Sequence, residues 1–324
     1  MIISKCPMRV SFCGGGSDFE SFYRISPGAV VSTTIDKYTY VTINRNFDHT
    51  IRLKYSTTET VDKVSQIKNN ILRSALTVLN IKNNIEITSM ADIPDTGTGL
   101  GSSSAFTVAV LHAINAFRGK NVPPHQLAEL ACHIEINMLG SPIGKQDQYA
   151  VAHGGLNFIE FLQNGEVIVN PIVISEKFCH ELNNNLLLFY TGISRKSGDI
   201  LSAKRKMNNM EIEENQKQAS GLAHMLRDAI YSEDLDRFSD LLMEGWEFKK
   251  QAGGNVTNRQ IDEWYQIALD CGAKSGKLLG AGGGGFFLFF VPKNKRKNVI
   301  KGLKELTSVD FTFETQGSRI IFVH

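Results

Sequence analysis

The chain has 324 residues, about two domains' worth of polypeptide. Its 35 basic side chains against 33 acidic ones leave a formal charge of +2, without the basic excess of a protein that grips nucleic-acid backbones. Hydrophobic residues make up 42%, enough for a sizeable core at this length. No apolar run approaches the ~20 residues a membrane span needs, and the start, MIISKCPMRVSF, lacks a sustained apolar stretch with a small-residue cleavage site. The five cysteines are scattered and none forms a Cys-x-x-Cys pair. These features predict a cytoplasmic protein with free thiols, no thiolate zinc site, and neither nucleic acid nor membrane as a partner.

The first third reads as strands. Residues 38–44 (YTYVTIN), 51–55 and 85–90 are β-branched or aromatic and alternate enough for half-buried strands. Between the last two, Val64, Ile67, Ile71, Leu72, Ala75 and Leu79 fall near one helical stripe, which predicts a helix over 61–79. A glycine-rich loop with three serines then leads into a helix that is apolar nearly all round, hence a buried one. A second helix is expected over 127–138, followed by a Gly- and Pro-containing loop and Asp147. From residue 186 the texture changes: an apolar strand (LLLFY), a polar helix-rich stretch over 198–270, a second glycine cluster ending in a buried strand, a basic surface helix over 293–306, and closing strands at 310–313 and 319–323. The expected fold class is α+β in two domains, residues 1–173 and 174–324.

Three segments could carry chemistry. In Gly97-Thr-Gly-Leu-Gly101-Ser-Ser-Ser104, glycines permit positive φ and close approach of N–H groups to a ligand. The unpaired N–H groups and positive dipole end of the following helix face the same loop. That is an anion cradle, although the serines would also cap a helix in any protein. The spacing G-x-G-x-G is not the dinucleotide fingerprint, and Gly272-Ala-Lys-Ser-Gly276-Lys277-Leu278 is one residue short of a Walker loop and lacks its Ser/Thr. Cys13-Gly-Gly-Gly-Ser-Asp18 follows a strand ending Arg9-Val-Ser-Phe and sets a carboxylate beside an opened turn, suited to sugar hydroxyls or merely to turning. Residues 280–285 (GAGGGG) are either a tight buried turn or backbone passing close to a ligand. Glu135 lies beside the stripe Leu127, Ala131, Ile134, Met138, where a carboxylate is either a boundary residue or needs a partner or metal. Asp147 is either a helix cap or a functional carboxylate.

The order and content of these segments, CPMRVSFCGGGSD, PDTGTGLGSSSA and GAKSGKLLGAGGGG, resemble the GHMP kinase superfamily of galactokinase, homoserine kinase, mevalonate kinase and phosphomevalonate kinase. Ser104 stands where many members carry Ala, and the resemblance spans nearly the whole chain. GGGSDFESFY, STTIDKYTYV and LGSPIGKQDQYA look like the branch of sugar 1-kinases acting on D-glycero-D-manno-heptose 7-phosphate, whereas the Gly-Glu-His-Thr-Asp-Tyr motif of galactokinases is absent. The resemblance implies an N-terminal domain like the second domain of ribosomal protein S5, a ferredoxin-like C-terminal domain, and ATP and Mg²⁺ bound between them. It implies that Thr96, Gly97, Gly99, Leu100, Gly101, Ser102, Ser103 and Ser104 hold the nucleotide, that Ser103 and Glu135 are magnesium ligands, that Asp147 is the catalytic aspartate, and that Arg9 is the basic residue beside it. Gly15, Gly16, Ser17, Asp18, Thr191, Gly192 and Gly283 would face the sugar phosphate, and a homodimer is admitted. A substrate phosphate would need cations away from the ATP phosphates; Arg195 and Lys196, just after the LLLFY strand, are the candidates.

Overall fold

The β-branched run GAVVSTTIDKYTYVTIN forms β2 (Gly28–Asn44), the spine of the first sheet. The computed structural model describes residues 1–93, 97–193, 209–251 and 256–324, with side chains of the helix beginning at 209 described from residue 212. β2 pairs antiparallel with β1 (Ile2–Cys13) along its length, with β6 (Leu156–Phe161) through its first half and with β5 (Ile85–Ala91) through its second. β3 (Ile51–Lys54) runs parallel to β5, β4 (Thr58–Val61) extends that edge, and β7 (Val167–Pro171) pairs with β6. The chain then returns at its end: β12 (Phe313–Glu314) pairs with β2 and β13 (Arg319–Val323) with β1. The second sheet is antiparallel, in the order β11 (Thr307–Val309), β8 (Leu186–Tyr190), β10 (Phe286–Phe290), β9 (Ser275–Leu278).

Among the described residues the helices are α1 (Glu20–Tyr23), α2 (Asn70–Val78), α3 (Ser102–Phe117), α4 (Pro124–Cys132), α5 (Gln146–His153), α6 (Glu176–Asn184), α7 (Asn209–Tyr231), α8 (Leu235–Gln251), α9 (Arg259–Asp270) and α10 (Arg296–Gly302). Three cores result. The first lies between the large sheet and α2–α5; α3, buried at Ala105, Val108, Val110, Leu111 and Ile114, runs through it. The β1–β2 register slips between Pro7 and Met8, where a residue without an N–H weakens the ladder least. Beyond the slip, Met8, Val10 and Phe12 turn into a second core shared with Leu186, Leu188, Phe286, Leu288 and Phe290 of the small sheet and with α7 and α8. Arg9 therefore falls on the other side of the strand from those apolar side chains. Phe287 and Phe289 fill a third core with Trp246, Ile261 and Tyr265, which explains why the strand FFLFF is apolar at every position: it is buried on both faces.

Four expectations shift. Residues 61–79 do not form one helix: β4 and a 3₁₀ turn (Val64–Gln66) precede α2, because Glu59 accepts from the N–H groups of Lys68 and Asn69, and Asn69 caps α2 through Leu72 N–H at 3.0 Å. The helix expected over 127–138 starts at Pro124 and widens to a π-turn over His133–Met138. The basic helix over 293–306 shortens to a 3₁₀ turn (Lys293–Lys295) and α10. The strand expected at 310–313 does not form: β11 ends before it and β12 begins at its last residue, the two on different sheets. The division at residues 173 and 174 is kept as a proposal for the two halves; the second core and the returning strands β12 and β13 join them. Among the described residues no helix is long and apolar enough to cross a membrane, and all five cysteines are free.

Candidate active site

The loop before α3 alternates: Gly97, Gly99 and Gly101 have φ of 71°, 79° and 71°, while Thr98 and Leu100 between them do not take positive φ. Alternation of this kind turns successive N–H groups toward one concave side, and here it opens on the N-terminus of α3. Leu100 is fully buried and pins the loop, and its carbonyl accepts from Arg9 N–H at 2.9 Å. The loop's back rests on the second glycine cluster. A Cβ on Gly99 would lie 2.6 Å from Leu279 O, and one on Gly285 2.4 Å from Thr98 O, so two stretches of backbone lie in direct contact. Lys249 braces the cluster by donating to Leu278 O at 2.9 Å and Gly280 O at 2.6 Å.

Beside the loop lies an ion pair between residues 138 positions apart. Arg9 donates to Asp147 Oδ1 from Nε at 2.7 Å and to Gly99 O from Nη1 at 2.6 Å, and its Nη2 lies 2.7 Å from the same Oδ1. The guanidinium side chain is 4% exposed and the carboxylate 25% exposed. Both contacts converge on Oδ1, which sets the distance of that oxygen from the loop and leaves Oδ2 to other partners. A Cβ on Gly101 would come 3.1 Å from Arg9 Cγ and 3.5 Å from Asp147 Cγ, so a side chain there would wedge into the ion pair. Asp147 also sits in the first turn of α5, where a negative charge is favoured by the helix dipole.

Glu135 lies in the π-turn, 2% exposed, and holds four donors: Ser103 Oγ at 3.1 Å and Thr107 Oγ1 at 3.0 Å on Oε1, Ser104 Oγ at 2.8 Å and Gln148 Nε2 at 2.6 Å on Oε2. Burial pushes its pKa up, and the four donors oppose that shift. The carboxylate thereby ties the first turn of α3 to the helix that carries Asp147. Ser103 is exposed at the start of α3 and paired with Glu135. This oxygen-only set suits a hard divalent cation such as Mg²⁺, which keeps several waters; Ser103 can present its hydroxyl directly, and Glu135 would join by releasing it. Among the described residues no three His, Cys, Asp or Glu side chains converge as a metal cluster.

The other glycine turn behaves differently from expectation. Asp18 is 1% exposed and spends its carboxylate on backbone: Gly16 N–H at 2.9 Å and Gln146 N–H at 3.1 Å. Burial raises its pKa against those two donors. Ser17, fully buried, donates to Gly14 O at 2.8 Å and Ala29 O at 3.0 Å. Neither side chain is turned to a sugar here; both hold the turn against β2 and the loop before α5. Gly15 is exposed and Gly16 half-buried, and Gln216 of α7 donates to Gly16 O at 2.7 Å. Gly283 is likewise buried, with its N–H given to Val256 O at 2.8 Å. Thr191 is buried and hydrogen-bonded to Gly285 O, while Gly192 is exposed. Thr96, Arg195 and Lys196 lie outside the described residues.

Sequence reasoning passed over several residues. Thr107 and Gln148 hold Glu135. Lys277, dismissed with the imperfect Walker spacing, is buried and donates to Phe12 O behind the glycine turn. Its burial lowers the ammonium pKa, which the neighbouring Cys13 opposes and Arg9 reinforces. The four-residue strand Ser-Gly-Lys-Leu around Lys277 carries no pattern that would have marked it as buried. Gln146 and Gln148 each have a side-chain oxygen that is buried and unpartnered among the described residues; such a group costs about 1–3 kcal/mol.

A glycine nest at a helix start, a carboxylate held by a guanidinium fork at its mouth and an oxygen-rich corner beside it define the class: a small-molecule kinase in which positioning and charge neutralisation carry phosphoryl transfer. The chain belongs to the GHMP kinase family, matching the GHMP kinases N terminal domain over residues 64–155 and the GHMP kinases C terminal domain over residues 226–307, and so is an ATP-dependent kinase. It is 31% identical to the D-glycero-alpha-D-manno-heptose 7-phosphate kinase of Campylobacter jejuni across 98% of this chain and 97% of that one. It is 25% identical to a galactokinase of Pyrococcus furiosus, across 92% of this chain and 91% of that one. A crystal structure described as a D-glycero-D-manno-heptose 1-phosphate kinase from Bacteroides thetaiotaomicron superposes with a TM-score of 0.84 at 27% identity, covering 100% of both chains. The GHMP kinase fold expected from the motifs is thus the fold observed.

Proposed function

We propose that the protein transfers the γ-phosphoryl group of ATP, with Mg²⁺, to the anomeric hydroxyl of D-glycero-D-manno-heptose 7-phosphate, giving the 1,7-bisphosphate in the cytoplasm. The observation that carries this reading is the 31% identity, end to end, with a relative named for that substrate. The lack of a galactokinase-type Glu-His in the first glycine turn agrees with it.

The residues divide the work as follows. N–H groups of residues 97–101 and the start of α3 receive the nucleotide phosphates. A bound Mg²⁺ supplies neutralisation of charge on the phosphates. Asp147 orients the attacking hydroxyl and takes its proton as the O–P bond forms. An anomeric hydroxyl is more acidic than an ordinary alcohol, so a carboxylate suffices as acceptor. Arg9 keeps Asp147 at a set distance from Gly99 and so from the phosphate cradle. The retention of two bonded pairs, Arg9 with Asp147 and Ser103 with Glu135, speaks against a sugar sensor that has lost catalysis.

The test is a panel of heptose 7-phosphate, heptose 1-phosphate, heptose, galactose and fucose offered with ATP and Mg²⁺, reading ADP release and the position of the new phosphate by phosphorus NMR. Preference for heptose 7-phosphate with the product phosphorylated at the anomeric oxygen is expected. Preference for galactose or fucose would move the protein to the free-sugar kinases, and turnover of none of the five would remove the sugar-kinase reading.

A further inference from the structure

We propose that Gln146 is the residue that reads the sugar's hydroxyl groups, a specificity-determining side chain presented by Asp18; this rests on the sugar-kinase reading above. Three observations meet at this side chain. First, it makes no hydrogen bond among the described residues, and its Oε1 is buried without a partner. A buried amide oxygen of this kind wants an O–H or N–H donor, and a terminal amide that accepts through Oε1 and donates through Nε2 matches the paired donor and acceptor character of neighbouring hydroxyls on a polyol.

Second, the side chain lies along the exposed backbone of the glycine turn. A Cβ built on Gly15 would stand 3.5 Å from Gln146 Nε2 and 4.0 Å from its Oε1. Any side chain at position 15 would therefore cover the Nε2 end of the amide, and glycine leaves that end open while Oε1 is buried, so a hydroxyl reaches Oε1 on rotation of the terminal amide. Third, Gln146 and Asp147 are adjacent at the start of α5, with the amide beside Gly15 and the carboxylate beside Gly101. A sugar whose reacting oxygen meets Asp147 then carries its nearby hydroxyls toward the amide.

Asp18 acts through Gln146 and not on the substrate. Its Oδ2 takes the Gln146 N–H, its carbonyl takes Lys145 N–H at 3.3 Å, and a Cβ on Gly144 would lie 2.0 Å from Oδ2. The backbone from 144 to 146 is thus moulded on a sealed carboxylate, while the same carboxylate holds Gly16 of the opposing turn. One buried group sets the gap between the two sides of the sugar subsite. In this assignment Asp18 is a positioning residue and Gln146 the contact.

The experiment compares wild type with Gln146→Met, which keeps the length and removes both polar atoms. Expected is a rise of tenfold or more in the KM for the sugar that wild type phosphorylates best, about 1.4 kcal/mol, with the KM for ATP within about twofold. The melting temperature of the ligand-free variant should be equal or higher, since an unpaired buried oxygen has been removed. Gln146→Glu, which keeps an acceptor at the site, should lose less sugar affinity than Gln146→Met. An unchanged sugar KM in an active variant would overturn the role of Gln146 and leave the kinase reading standing. A lowered melting temperature with both KM values raised together would make Gln146 structural. Wild-type turnover of no sugar would overturn this inference and the sugar-kinase reading together.

Discussion

The two glycine-rich turns that flank the site, 13–18 and 97–101, look alike in composition and work differently. In the loop at 97–101, left-handed glycines alternate with ordinary residues, and the concave side opens on a helix N-terminus. In the turn at 13–18, a Cβ on Gly14 would lie 2.0 Å from Ala29 O, and the Ser17 and Asp18 side chains are consumed by backbone partners. Glycine at position 14 serves close packing of backbone on β2, while at Gly15 and Gly16 an added Cβ would meet nothing closer than 3.5 Å. Glycine content thus says that backbone comes close to something, and the destination of the N–H groups says whether that something is a ligand or the protein itself.

The carboxylates of the two regions sharpen this contrast, and the largest effect is expected at Asp147. Asp147→Asn should retain the fold and ATP binding while lowering kcat by roughly 10²–10⁴, the range for a positioned proton acceptor. Single-turnover and thermal-shift measurements check both halves, and activity within a few-fold of wild type would take the proton-acceptor role away from Asp147. Asp18→Asn should act next. An amide cannot accept at both ends, so one buried N–H of residue 16 or 146 loses its partner, destabilising the protein by about 1–3 kcal/mol. Urea unfolding measures this. A sugar KM raised strongly with stability untouched would show instead that Asp18 touches the substrate.

Glu135→Gln probes the corner between the regions. Its amide nitrogen must face two of the four donors that now converge on the carboxylate, loosening Ser103, so the Mg²⁺ concentration for half-maximal rate should rise several-fold. An Mg²⁺ titration superimposable on wild type would leave Glu135 with only its role of joining α3 to α5. The smallest effect concerns the far end of α5, away from the chemistry. His153 is packed near His125 and Tyr149, and burial, then the His125 charge, lowers its pKa to about 4. Because the unfolded chain takes up this proton at about pH 6.5 and the folded one only near 4, the stability tied to neutral His153 is present above about pH 6.5 and is lost as pH falls toward 4. The melting temperature should decline over that window, less so in His153→Gln. Equal slopes for the two proteins would place the pH dependence elsewhere.

How far the site could be read in advance varied by residue for physical reasons. The glycine spacing at 97–101 was legible because positive φ and helix ends are properties of a few adjacent residues. The apolar strand FFLFF and the buried helix α3 were legible because their burial shows in every residue. The limits of α2 and the π-turn at His133–Met138 were not. Glu59 sets the start of α2 from across a strand, and the π-turn changes no residue type while it carries Glu135 into the core.

From its residues alone, then, this chain specified several of its strands, the glycine loop before α3 and, through three motifs in order, its family, since local backbone preference and apolar pattern survive without knowledge of neighbours. Which carboxylate does what was decided by tertiary structure. Asp18, Glu135 and Asp147 are alike as acids in a sequence; what separates them is that two backbone N–H groups seal the first, four side chains surround the second, and Arg9, 138 residues away, grips the third while leaving it a quarter open to solvent. A carboxylate's function follows from its solvation and its partners, and partners so distant in the chain meet only when the two sheets and α3–α5 have packed.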